Sequence, residues 1–186
     1  MSSHHFVKED QEPALLILDS DAIPFEKVQE LLEWSPLVIV SYSSLDMVLS
    51  WGIKIDVLLA STDNDIAQLV IDQAPIQVIT SSSTENEFDA ACKFLMDRKQ
   101  INLNVIASQA QKYFTIAASF LNKVNIVLFD SKGRWHFVGN GSYSKWLSAQ
   151  SIVHTFINNI IKKNDVLETG IFEIELKEPF WIGEEY

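Results

Sequence analysis

The stretch "VSYSSLDMVLSWGIKIDVLLASTDN", Val40 to Asn64, sets the architecture of this chain. It opens at the end of an apolar run, breaks into Ser-Tyr-Ser-Ser, and passes through a short apolar-periodic segment to a Gly-Ile-Lys turn. A second apolar run, "DVLLAS" (56–61), then ends in Thr62 and Asp63. Val, Ile and Leu without polar alternation mark strands buried on both faces, and two such strands joined through a helix make a parallel unit. Runs of the same kind lie to either side: "ALLILD" (14–19), "PLVIVS" (36–41), "IQVITS" (76–81), "NLNVIAS" (102–108) and "VNIVLFD" (124–130). Between them Phe25, Val28, Leu31 and Leu32 form one helical stripe, and Phe88, Ala91, Cys92 and Leu95 another. Residues 13–130 therefore read as an α/β domain, a mainly parallel sheet with helices on both faces.

After about Val124 the pattern changes. "RWHFVG" (134–139), "SIVHTFI" (151–157) and "GIFEIELKEPFWI" (170–182) are strand-like, with turns expected at "SKG", "GNGS" and "KKND". In "FEIEL", Phe172, Ile174 and Leu176 alternate with Glu173 and Glu175, the mark of a half-buried antiparallel strand. Residues 131–186 thus read as a small antiparallel β domain with Trp135, Trp146, Phe180 and Trp181 in its core. A unit of that size buries too little surface to stand alone, so it leans on the α/β domain or on a second copy.

The 186 residues carry 25 acidic against 14 basic groups, a net charge of −11. That balance argues against nucleic acid and anionic membranes as partners, since both are bound through phosphate neutralisation. No run is long enough to span a bilayer. Residues 1–12 read as a flexible polar leader, in which His4 and His5 make no more than a weak metal pair. The leader lacks an apolar export core, and the single Cys92 rules out an internal disulfide, so a reducing cytoplasm is the expected compartment.

Ligands of open α/β sheets bind beyond the carboxyl ends of the strands. Those ends carry polar clusters here: Asp19, Ser20 and Asp21; Ser41 to Ser44; Ser61 and Asp63; Thr80 to Glu87; Ser108 and Gln109. Taken singly, each cluster reads first as a helix cap, and "TENE" fits a capping box with Thr84 at the N-cap and Glu87 at the third helical position. The glycine-rich phosphate loops of nucleotide-binding folds are absent from a chain with six glycines in all. Cys92 sits on an apolar stripe as a core residue, and His136 and His154 read as structural residues in strands.

"GIKIDVLLASTDN" (52–64) resembles the Gly-Ile-Lys-Pro-Asp-hydrophobic-Gly-Asp-Phe-Asp-Ser signature of the thiamine pyrophosphokinases. The family's preceding Asp-Gly-Gly-Ala-Asn falls on Tyr42, Ser43, Ser44, Leu45 and Asp46. Its Thr-Asp pair falls on Asn86 and Glu87, with Ala90 at a lysine position. Its Gly-Gly-Arg-x-Asp-His-Thr-Leu-Ala falls on "QAQKYFTIA" (109–117), of which Thr115, Ile116 and Ala117 fit the pattern. The resemblance covers most of the chain in order, spacing and hydrophobic frame, while the chemical letters largely differ.

The resemblance implies a small-molecule cleft whose candidate residues are Tyr42, Ser43, Ser44, Asp46, Lys54, Ser61, Asp63 and Gln111. It also implies a homodimer with the thiamine site between subunits, to which the four bulky aromatics would contribute. Transfer of pyrophosphate from ATP to thiamine needs charge neutralisation, with magnesium ion held by carboxylates. Asp63 and Glu87 would hold that ion, joined in an active protein by Asp46 and by Asp19 or Asp21. ATP and magnesium ion are cofactors only if activity is retained. Tyr42, Ser61, Gln111, Tyr113 and Phe114 replace groups the family uses, and neutral side chains do not stand in for carboxylates or a guanidinium. The favoured expectation is a relative with the transfer step lost or strongly impaired and a small ligand still bound. The alternatives are an active divergent enzyme, and an interaction module that shares only the fold.

Overall fold

A computed structural model describes residues 12–61, 75–81 and 86–186. The leader, apart from Glu12, lies outside the described residues, as do Asp63 and Thr84. Six strands run parallel: β1 (Ala14–Ile17), β2 (Val38–Ser41), β3 (Val57–Ser61), β4 (Gln77–Ser81), β5 (Asn102–Ile106) and β6 (Asn125–Asp130). Between them lie α1 (Phe25–Leu32), α2 (Leu45–Ser50), α3 (Glu87–Asp97) and α4 (Phe114–Ala118). Successive strand residues face opposite ways, so each continuous apolar run feeds two cores. Leu16, Ile39, Leu59 and Val105 pack with Phe88, Ala91 and Leu95 of α3 and with Phe114 of α4. Leu15, Ile17, Val40 and Leu58 pack on the other face with Val28 of α1 and with Leu45 and Val48 of α2. Helices on both faces follow from that division.

The strand order is β4-β3-β2-β1-β5-β6, and the sheet does not stop there. Asp130 pairs with Gly133, β6 folds back on β7 (Gly133–Val138), and β12 (Phe180–Glu184), β9 (Ile152–Ile157) and β10 (Ile160–Asp165) extend the same sheet antiparallel. A two-stranded sheet, β8 (Ser142–Leu147) with β11 (Gly170–Glu175), covers this half over Tyr143, Val153, Phe180 and Ile182. The small β region leans on the α/β region by continuing its sheet. Among the described residues no helix is long and apolar enough to cross a membrane.

Three expectations need correction. "KKND" (162–165) is strand rather than turn; the chain reverses at Asn158 and Asn159, both at positive φ, 49° and 63°. Two such residues between Ile157 and Ile160 make the tight turn whose twist matches a hairpin, and Asn tolerates that conformation. Helix α3 begins at Glu87, and its cap is Asn86, whose side chain accepts a hydrogen bond from the Phe88 N–H at 2.9 Å. Asn caps as well as Thr and stands directly before the apolar stripe. Trp146 is 63% exposed, opposite Ile171 in the β8–β11 ladder, because its strand position faces outward. Trp135, Phe180 and Trp181 are buried within the chain and cannot supply the expected contact between copies.

Glu184 of β12 ties the two sheets together. Its carboxylate accepts hydrogen bonds from Tyr143 at 3.0 Å and from Lys145, both on β8, with Arg134 at 3.7 Å. Burial raises its pKa, but the hydrogen bonds from Lys145 and Tyr143 and the charges of Lys145 and Arg134 outweigh that and hold it below the ordinary value of 4.5. A depressed carboxylate pKa gives stability that is present above the unfolded value and is lost as pH falls through the folded one. Glu184→Gln should therefore cost about 1–2 kcal/mol at neutral pH. In denaturant melts its deficit should shrink as pH drops below the usual Glu range.

Candidate functional site

The chain runs from β1 outward to β4 on one side, then crosses to β5 on the other. At such a switch the loops leaving β1 and β5 part in opposite directions and open a crevice at their carboxyl ends. A cleft of ≈ 370 Å³ occupies that place. Asp19, Ser20 and Asp21 after β1 form one wall, and Ser43 and Ser44 after β2 a second. Ser108 and Gln109 after β5, with Lys112 and Tyr113 from the short helical turn Ala110–Tyr113, complete it.

The serines of the opening stretch mostly hold this frame together. Ser44 Oγ donates to the Leu18 carbonyl at 3.2 Å and accepts from the Ser20 N–H at 3.0 Å, so one buried hydroxyl ties the end of β1 to that of β2. Ser41, also buried, donates to Glu87 Oε2 at 2.8 Å and stands 2.9 Å from the Ser43 hydroxyl. The Asp21 N–H donates to Asp19 Oδ1 at 3.1 Å, which shapes the β1 loop. Burial, with the negative charges of Glu87 and Asp19, pushes the Tyr113 phenol above its ordinary pKa, so it stays a neutral hydroxyl.

The expected site residues separate on this frame. Ser43 and Ser44 line the cleft, and Glu87, outside the lining, is linked to Ser43 through the Ser41 hydroxyl. Tyr42 packs partly buried against the α1–α2 core, and Asp46 is exposed in the first turn of α2. Ser61 is exposed at the end of β3. Lys54 is not brought to the cleft: it precedes β3, at the opposite end of the strands, and pairs with Asp56 at 3.4 Å. Gln111 follows the β5 loop, and its Oε1 is buried without a hydrogen-bond partner. Asp63 lies outside the described residues. Lys112, the one cation among the lining residues, had no signal beyond a variable place in the 109–117 pattern.

Magnesium ion would meet two carboxylates in the cleft wall, Asp19 and Asp21, while Asp63 lies outside the described residues. The ion takes oxygen ligands in near-octahedral order, chiefly carboxylates. Among the described residues no three His, Cys, Asp or Glu side chains converge on one point, and Glu87 accepts a hydrogen bond from Ser41 on Oε2. Phe114 and Tyr113 are built into packing. Phe114 is buried and stacks on Trp181 at 4.6 Å with 10° between planes, with Trp135 and Phe156 at its edges. Tyr113 stacks on Phe88 at 5.4 Å. Cys92 is buried, and desolvation with the nearby Asp89 pushes its thiol up to about 12, so it is no nucleophile.

No known family model matches the sequence, and no curated protein matches it. Solved structures do match. Thiamine pyrophosphokinase from Bacillus subtilis superimposes with a TM-score of 0.67 at 12% identity, over 93% of this chain and 98% of that one. Thiamin pyrophosphokinase from Candida albicans gives 0.69 at 11% identity over 97% and 90%, and the yeast protein 0.72 at 8% over 95% and 86%. Identities this low speak of backbone and not of chemistry. The chain has the thiamine pyrophosphokinase-like fold.

Proposed function

We propose that this chain is a thiamine pyrophosphokinase-like protein in which pyrophosphoryl transfer is lost or strongly impaired while the cleft still takes a small ligand. The observation that carries this reading is the fate of Tyr113 and Phe114. In the resemblance they stand at an Asp-His pair; here Phe114 is buried against Trp181, and Tyr113 stacks on Phe88 in the wall of the cleft. A phenyl ring offers neither proton nor ligand, and a neutral phenol does not replace a carboxylate toward a divalent cation.

One observation favours the active alternative: Asp19 and Asp21 both line the cleft. The experiment that separates the two is product analysis after incubating the full chain with thiamine, ATP and magnesium ion. Thiamine pyrophosphate at or near background is expected; sustained turnover would sink the proposal. Loss of even one well-placed charge stabiliser is worth about 10²–10³ in rate, and several positions differ here.

A further inference from the structure

The two layers of the β region are unequal. The small sheet has two strands, β8 and β11, while the sheet beneath it runs on past β9 to β10. A groove of ≈ 530 Å³ opens where that cover stops. Its floor includes Ile157 of β9 with Ile160 and Lys162 of β10, and its wall is Phe172, Ile174 and Leu176 along and just after β11. None of the lining residues is on β8, so the groove follows the edge of β11 that faces away from its partner. Among the described residues β11 pairs with β8 alone, which leaves half of its backbone N–H and C=O groups open to a further strand. Glu173 and Glu175 alternate with the wall residues and stand exposed on the outer face. Ser144 and Ser142 lie opposite them in the ladder, and neither carboxylate is ion-paired among the described residues.

We propose that the free edge of β11 takes an extended segment of a partner protein as a third strand, with apolar and basic residues alternating along it. Main-chain hydrogen bonds to β11 hold such a strand, and its side chains point alternately to the two faces. Its apolar side covers Ile157 and Ile160, which the two-stranded sheet leaves bare. Its basic side falls beside Glu173 and Glu175, where opposite charges on neighbouring strands attract. Lys162 lies under the apolar side, and its long stem can follow that surface with the amine at the rim. Two strands are also one short of what a small sheet needs to be stable in itself, so the added strand completes a layer. Charge selects the occupant. A chain of net charge −11 attracts a cationic segment. Two copies pairing β11 with β11 would instead set the same carboxylates against each other, which is unfavourable. Loss or survival of pyrophosphoryl transfer has no bearing on this edge.

The test is a fluorescence-anisotropy titration of the full chain into a dye-labelled synthetic peptide of alternating lysine and valine, long enough to match the six residues of β11. The peptide should bind saturably, and its glutamate–valine counterpart about tenfold more weakly or worse. Ile160→Ser removes exposed apolar floor and should weaken the lysine peptide about tenfold. Glu173→Lys combined with Glu175→Lys should weaken it by about as much. All three positions are exposed, so the fold tolerates these changes. N-methylation of the peptide at its valines or at its lysines blocks one row of backbone donors at a time. One of the two methylated peptides should lose binding and the other keep it, as a strand bonded along one edge requires. No binding of the lysine peptide, equal binding of the glutamate peptide, an unchanged Ile160→Ser, or both methylated peptides binding like the parent would each overturn the proposal. So would a dimer that Ile160→Ser breaks and that the lysine peptide does not enter, since a second copy would then be the occupant.

Discussion

Phe114→Ala should destabilise the protein by about 3–5 kcal/mol, a melting-temperature loss of roughly 6–20 °C for a chain of this size. The side chain is 2% exposed and touches three other rings, those of Trp135, Phe156 and Trp181. All three belong to the part of the sheet beyond β6, so the ring joins the α/β core to the β region. Its removal leaves a cavity that rigid aromatic neighbours close poorly. Phe114→His restores the residue type of the resembled family and should also destabilise, since the imidazole has no buried hydrogen-bond partner within this ring stack. Denaturant unfolding measures both. A stable Phe114→His would mean that the position still accepts a polar, functional side chain.

Asp130→Ala is expected to cost on the order of 3 kcal/mol or more, because each buried donor left unmatched costs about 1–3. Asp130 is the last residue of β6 and is 1% exposed. Its Oδ1 accepts from the Lys132 N–H at 2.9 Å and from Trp135 Nε1 at 3.1 Å, and its Oδ2 from the Ala110 N–H at 3.2 Å. The β6–β7 turn, the central tryptophan and the start of the turn bearing Lys112 and Tyr113 all meet on this carboxylate. Asp130→Asn keeps one acceptor but sets an amide N–H₂ against the Ala110 N–H or the indole, so it should fall between wild type and alanine. Chemical denaturation of the three proteins orders them; an alanine variant as stable as wild type would show that the carboxylate is not the junction described.

Much of the fold was legible because the parallel strands are buried on both faces. "ALLI" and "VIVS" have no polar face to hide, and an uninterrupted apolar run has one simple reading. The alternation of Phe172 and Ile174 with acidic residues was equally plain in β11. The C-terminal region was harder. "IIKKND" carries its polar residues on an edge strand that faces solvent, and charged edges look like turns in a linear reading. Trp146 reads as core from its size, whereas its exposure depends on the strand register, which only pairing with Ile171 reveals.

The site divides along the same line. Ser43 and Ser44 line the cleft because polar residues at strand ends fall at the carboxyl edge of a parallel sheet. Lys54 was misplaced because Gly52-Ile53-Lys54 precedes β3 and so lies at the other edge.

One measurement tests most directly the proposal that the cleft remains while pyrophosphoryl transfer is lost or strongly impaired. Wild-type protein and Asp63→Ala are incubated with thiamine, ATP and magnesium ion, and thiamine pyrophosphate is quantified over time. The account predicts background product from both. Product formed by the wild type at an ordinary enzymatic rate, about 1–10³ s⁻¹, and abolished by Asp63→Ala would contradict it.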